Sequence, residues 1–211
     1  MSSFYTTTYL DTYEQRENLI NTVFSLINIH GYKFSGRLYQ IEFDENNREF
    51  IEKQPCFYIK NTNQIKKTTN QDIALLFHSN YGQRIVYFYK NPITQKECLQ
   101  IADFSATFFH EFSSEEKIQD YCVFLTDIAI TIKSDAALLE INEPIKIIDK
   151  SYVTEATKTL KSSQENSIIL AIIKNSLDIE TNNFTKKESK FKSNYAGYDI
   201  FFNCDYQNFV T

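Results

Sequence analysis

An α+β fold, with a largely antiparallel sheet packed by an N-terminal helix and a central helix, follows from three features of this sequence. Apolar or alternating segments of six to eleven residues recur between polar turns, which is the pattern of strands. Two longer stretches, one closing at His30-Gly31 and one over residues 114–132, instead repeat apolar residues at helical spacing. No internal repeat or linker interrupts the 211 residues, so a single α+β domain over 1–211, with a short tail from about residue 204, is the economical reading.

Taken in order, residues 3–10 are rich in Thr and Tyr and suit an opening strand. Asp11 followed by Glu14 has the form of a capping box, and Leu19, Ile20, Val23, Phe24, Leu26 and Ile27 then share one side of a helix. Gly31 sits where such a helix ends. Arg16 projects from the apolar side of this helix, and the expectation is a stem lying over the core edge with its head in water. Residues 37–43 alternate as a half-buried strand, 44–47 turn the chain, 49–60 return it, and 61–70 form a polar loop.

The central stretch, 71–132, predicts strands over 73–78, 84–90 and 99–109 and a helix over 114–132. Ile85, Val86, Tyr87, Phe88 and Tyr89 are apolar on both faces, which places their strand near the middle of the sheet. Ser113 and Glu116 have the spacing of a second capping box. At about 100° per residue, Ile118, Tyr121, Cys122, Leu125, Ile128, Ala129 and Ile132 gather on one side of this helix, and Glu116, Asp120 and Asp127 on the other. Beyond it, 136–141 and 145–148 read as short strands and 151–160 as a short helix. Residues 168–173 fit strand or helix, their β-branched content favouring strand; 175–194 read as a long mobile loop and 198–202 as a last strand.

Composition removes several classes of function. Four glycines, none paired in a phosphate-cradling loop, exclude the familiar nucleotide-binding signatures. A nucleophile elbow and metal-finger cysteine spacing are also missing from the sequence, and Cys56, Cys98, Cys122 and Cys204 are far apart, consistent with free thiols in a reducing compartment. His110-Glu111 opens like a zinc-binding helix motif, but Ser114 stands where the second histidine would be needed, so no metal and no cofactor are expected. The N-terminus lacks a basic region followed by an apolar run, and the longest apolar run, 168–173, is too short to cross a bilayer; a cytoplasmic protein without a membrane span is expected.

Charge is the most informative signal. The net charge of −5 argues against nucleic acid as a partner. Within it, residues 97–149 hold eleven carboxylates against three lysines, whereas 61–96 and 150–192 are net basic. An acidic field of this kind speeds encounter with a basic protein. Helix-dipole stabilisation of Glu115 and Glu116, with ordinary solvated charges elsewhere, accounts for part of the pattern. Val123 and Ile130 fall among the carboxylates of the helix, where they either belong to a partner-binding face or lie under another element.

Size, acidity, the absence of a catalytic constellation and the helix-then-sheet layout resemble the immunity proteins that accompany bacterial polymorphic and secreted-effector toxins. That resemblance implies a non-enzymatic protein that binds a cognate toxin domain and occludes its active site. On this chain it implies contacts through Glu116, Asp120, Val123, Asp127 and Ile130, with Glu111 and Glu115 at the rim, and a toxin that acts in the cytoplasm. The competing class is an enzyme or small-ligand binder that uses His78, His110 or tyrosines in a cleft beside the sheet.

Overall fold

The computed structural model describes residues 4–44, 49–59, 64–65, 71–141, 150–158, 168–177, 184–186 and 197–203. Their elements are β1 (Phe4–Thr12), α1 (Arg16–Ile29), β2 (Lys33–Asp44), β3 (Glu49–Tyr58), β4 (Ile73–His78), β5 (Gln83–Lys90), β6 (Glu97–Phe104), α2 (Ser105–Glu111), α3 (Glu115–Thr131), β7 (Ala136–Ile141), α4 (Lys150–Lys158), β8 (Ile168–Lys174), β9 (Phe184–Lys186) and β10 (Tyr198–Asn203). The strands join in one ten-stranded sheet of order β3-β2-β4-β5-β6-β1-β7-β8-β10-β9, antiparallel at every pairing. The fold is therefore α+β, and the N-terminal strand lies inside the sheet, between β6 and β7.

Alternation along each strand divides the core by faces. Tyr5 and Tyr9, Val86 and Phe88, Leu99 and Ile101, and Ala137 and Leu139 point to the face covered by α1, α2 and α3, where Leu19, Val23, Ile27, Phe108, Tyr121, Leu125 and Ile128 meet them. The opposite face carries two smaller apolar clusters. One, with Val153 of α4, includes Leu138, Ile168 and Ala171; the other joins Ala74, Ile85, Tyr87, Tyr89, Cys98 and Ala102. Between them run the buried polar side chains of Thr6, Thr8 and Gln100, and Gln100 Nε2 donates to Thr8 Oγ1 at 2.7 Å. The continuous apolar run of β5 has this physical reason: it is buried on both faces.

Several local expectations need correction. Asp11 does not cap α1. It stays in β1 at φ +47° and binds Lys96 and Thr94, while Gln15 precedes the helix without a side-chain cap. The second cap is shifted by one residue, with Ser114 accepting from the Lys117 N–H at 3.3 Å. Arg16 is buried: its guanidinium donates to the carbonyls of Gln71 and Phe88 at 2.8 and 3.2 Å and pairs with Asp72 and Glu97. Acceptors from three separate stretches converge on it, so a head left in water would strand them.

The strand expected over 99–109 ends at Phe104, and α2 takes over from Ser105. Thr107 and Phe108 are buried while Phe109 is exposed, and Phe108 stacks on Phe112 one helical turn later with centroids 4.2 Å apart, the i, i+4 contact that a helix brings about. A three-residue strand, β9, lies within the expected loop 175–194. Residues 168–174 are strand, buried throughout except at Lys174. The strand expected over 145–148 and the tail from 204 lie outside the described residues. No helix among the described residues is long and apolar enough to cross a membrane.

Candidate partner-binding surface

Helix α3 is held to the sheet by a buried polar cluster as well as by apolar packing. Arg84 on β5 and Asp103 on β6 are register partners and neither exposes any side chain. Arg84 Nε donates to Asp103 Oδ1 at 2.6 Å, and Tyr121 of α3 donates its hydroxyl to Asp103 Oδ2 at 2.5 Å. Three aromatic rings enclose the guanidinium, with the centroids of Tyr32, Phe124 and Tyr121 at 4.1, 4.8 and 5.8 Å from its central carbon. Burial works against its charge, but Asp103 with Tyr121 and Tyr32 outweighs that and raises its pKa, while burial pushes the Tyr121 hydroxyl well above its ordinary range. A second anchor follows one turn on, where Tyr9 donates to the Leu125 carbonyl at 3.1 Å. Strand, helix and rings together fix the azimuth of α3.

That azimuth decides which residues reach solvent. Ile118, Tyr121, Cys122, Phe124, Leu125, Thr126, Ile128 and Ala129 are buried, a wider arc than the apolar stripe alone, because α1 and α2 also flank the helix. The remaining stripe carries Glu115, Glu116 and Asp120 exposed, and Val123, Asp127 and Ile130 half-buried. Glu116 and Asp127 are eleven residues apart, about 16 Å along the axis at helical rise.

Glu111 does not sit at a surface rim: it closes α2 and turns inward, accepting from the Tyr32 hydroxyl at 3.1 Å and lying 3.5 Å from Arg84 Nη2. Burial raises its pKa, opposed by the Arg84 charge. Ile130 packs against the main core, so the apolar character of the stripe belongs partly to the fold. Val123 is half-exposed between Asp120 and Asp127. Desolvation raises the pKa of Asp127. Glu116, Asp120 and Asp127 form no ion pair with another described residue. His30, at the C-terminal end of α1, stands with its ring 4.5 Å from that of Phe124; burial and Arg84 lower its pKa, opposed by the charge of Asp120.

Sequence reasoning passed over Arg84 and Asp103. The signal was present: each is a charge inside an otherwise apolar strand, pointing to the same face once β5 and β6 are paired as a hairpin. His110 directly follows the strand expected over 99–109, and the structure places it in a helix. On α2 the imidazole stacks on Tyr81 and reaches Lys117, and among the described residues no group of three or more His, Cys, Asp and Glu side chains is arranged to hold a metal. Comparison of the chain with family models, with curated proteins and with solved structures found no match.

Proposed function

We propose that this chain is an immunity protein of the cytoplasm, which binds a basic toxin domain through the exposed stripe of α3 and covers that domain's active site. One observation carries the reading. The chain places partners around Arg16, Arg84, Lys96, Lys133 and Lys174, yet leaves Glu116, Asp120 and Asp127 without an ionic partner among the described residues. A half-buried carboxylate such as Asp127 has already lost part of its hydration, so a cation brought to it recovers free energy at a lower desolvation cost. Rigid attachment of the helix adds to this, because a surface that does not rearrange loses less conformational entropy on binding.

The test is to express each gene adjacent to that of this chain alone and together with it, and to ask whether one encodes a basic toxin domain. Growth should be arrested by that domain alone and restored by the intact chain. Arrest that persists with the chain present as soluble folded protein contradicts the proposal.

A further inference from the structure

The turn between β4 and β5 holds up an aromatic ring that the core does not use. Tyr81 is 57% exposed, yet it is tightly positioned. The Ser79 N–H donates to the Gly82 carbonyl at 2.9 Å, and the Tyr81 N–H donates to Ser79 Oγ at 3.1 Å. Gly82 presses on α2: a Cβ there would lie 2.3 Å from Thr107 Oγ1 and 2.9 Å from the Thr107 backbone nitrogen. Thr107 in turn donates its hydroxyl to the Gln83 carbonyl at 2.7 Å. One face of the Tyr81 ring is occupied by His110, with centroids 3.7 Å apart and planes 9° from parallel. The His110 Nδ1 lies 3.3 Å from Lys117 Nζ, so the ammonium donates and the imidazole accepts.

This contact chain runs from the β4–β5 turn to the first turns of α3. Lys117 directly follows Glu116 and precedes Asp120 by three positions on α3, so the aromatic corner ends on a lysine that borders the acidic stripe.

We propose that the open face of Tyr81 is the aromatic anchor of the partner-binding surface and that it takes an arginine side chain of the basic partner. The inference rests on the reading of α3 as that surface. An exposed ring already fixed by its turn and by a stacked imidazole loses little freedom on docking, which is the condition for a residue to carry much of an interface's free energy. A guanidinium lies flat on such a ring, whereas an ammonium does not match its plane. Glu116 and Asp120 favour a cation over a nucleobase, whose phosphates they would repel.

Two acetylated octapeptides, one of alternating Gly and Arg and one of alternating Gly and Lys, titrated into the full chain at low ionic strength, test this. The wild-type chain should bind the arginine peptide about three-fold more tightly than the lysine peptide. Tyr81→Ala should abolish that preference without changing the lysine-peptide affinity, and Tyr81→Phe should retain it; unchanged circular dichroism and melting would show that both remain folded. Absence of the preference in the wild type, or its survival in Tyr81→Ala, overturns the aromatic anchor and leaves the acidic stripe standing. Equal affinity of the wild type and the Asp120→Lys/Asp127→Lys variant for both peptides overturns the stripe itself.

Discussion

The two sides of α3 treat charge in opposite ways. On the inner side Arg84, Asp103, Tyr121, Tyr32 and Glu111 are drawn together with donor–acceptor contacts of 2.5 to 3.5 Å. On the outer side Glu116, Asp120 and Asp127 stand about 6 to 16 Å apart along the axis with no counter-ion among the described residues. Burial explains the first: an unpaired charge there costs several kcal/mol, so only paired arrangements persist. Solvent tolerates the second, but tolerance alone does not require three carboxylates around a half-exposed valine. The contrast separates what holds the helix from what the helix can offer.

The largest effect expected is on the inner side. Asp103→Ala leaves Arg84 buried without its carboxylate and removes the acceptor of Tyr121, which should destabilise the protein by about 3–5 kcal/mol in chemical denaturation. A loss under 1 kcal/mol would mean the cluster does not hold α3. Gly82→Ala comes next. Its methyl would collide with both the hydroxyl and the backbone of Thr107, so a loss of about 1–3 kcal/mol is expected by the same measurement, together with weaker binding through a displaced Tyr81.

The inner cluster also shows what was legible in the sequence. The strands of the central hairpin and the apolar side of α3 repeat at fixed periods, and local periodicity survives folding because it is the same physics that buries one face. Arg84 and Asp103 are nineteen residues apart and meet only through strand register. Arg16 was misread for the same reason, since its partners Asp72 and Glu97 lie just before β4 and at the start of β6, far away in sequence. Helical spacing alone puts Glu116, Asp120 and Asp127 opposite the apolar stripe, where Glu116 and Asp120 are exposed and Asp127 is half-buried. Glu111 was misplaced, because its neighbours were taken for a strand and the inward turn of α2 was invisible.

Glu111 lies on the boundary between the two sides, and pH sharpens the difference. Its folded pKa is raised above 4.5, so the folded protein holds this proton more tightly than the unfolded chain, and stability contributed by the protonated form is lost as pH rises through and above that value. Glu111→Gln should flatten this part of the stability–pH profile and change stability at neutral pH by no more than about 1 kcal/mol, since an amide oxygen can still accept from Tyr32. An unchanged profile in Glu111→Gln would assign the slope to another group.

The smallest effect on stability is expected from the outer side. Asp120→Lys with Asp127→Lys should shift the unfolding free energy by no more than about 0.5 kcal/mol, because neither carboxylate has an ionic partner to lose among the described residues. Its effect should fall on binding instead. The most direct measurement is the association rate of this double variant with a basic toxin domain that the intact chain neutralises, compared with wild type at low and at physiological salt. If the outer stripe is the binding surface, association slows about ten-fold or more at low salt and most of its salt dependence disappears. A rate and a salt dependence equal to those of the wild type would show that the partner binds elsewhere.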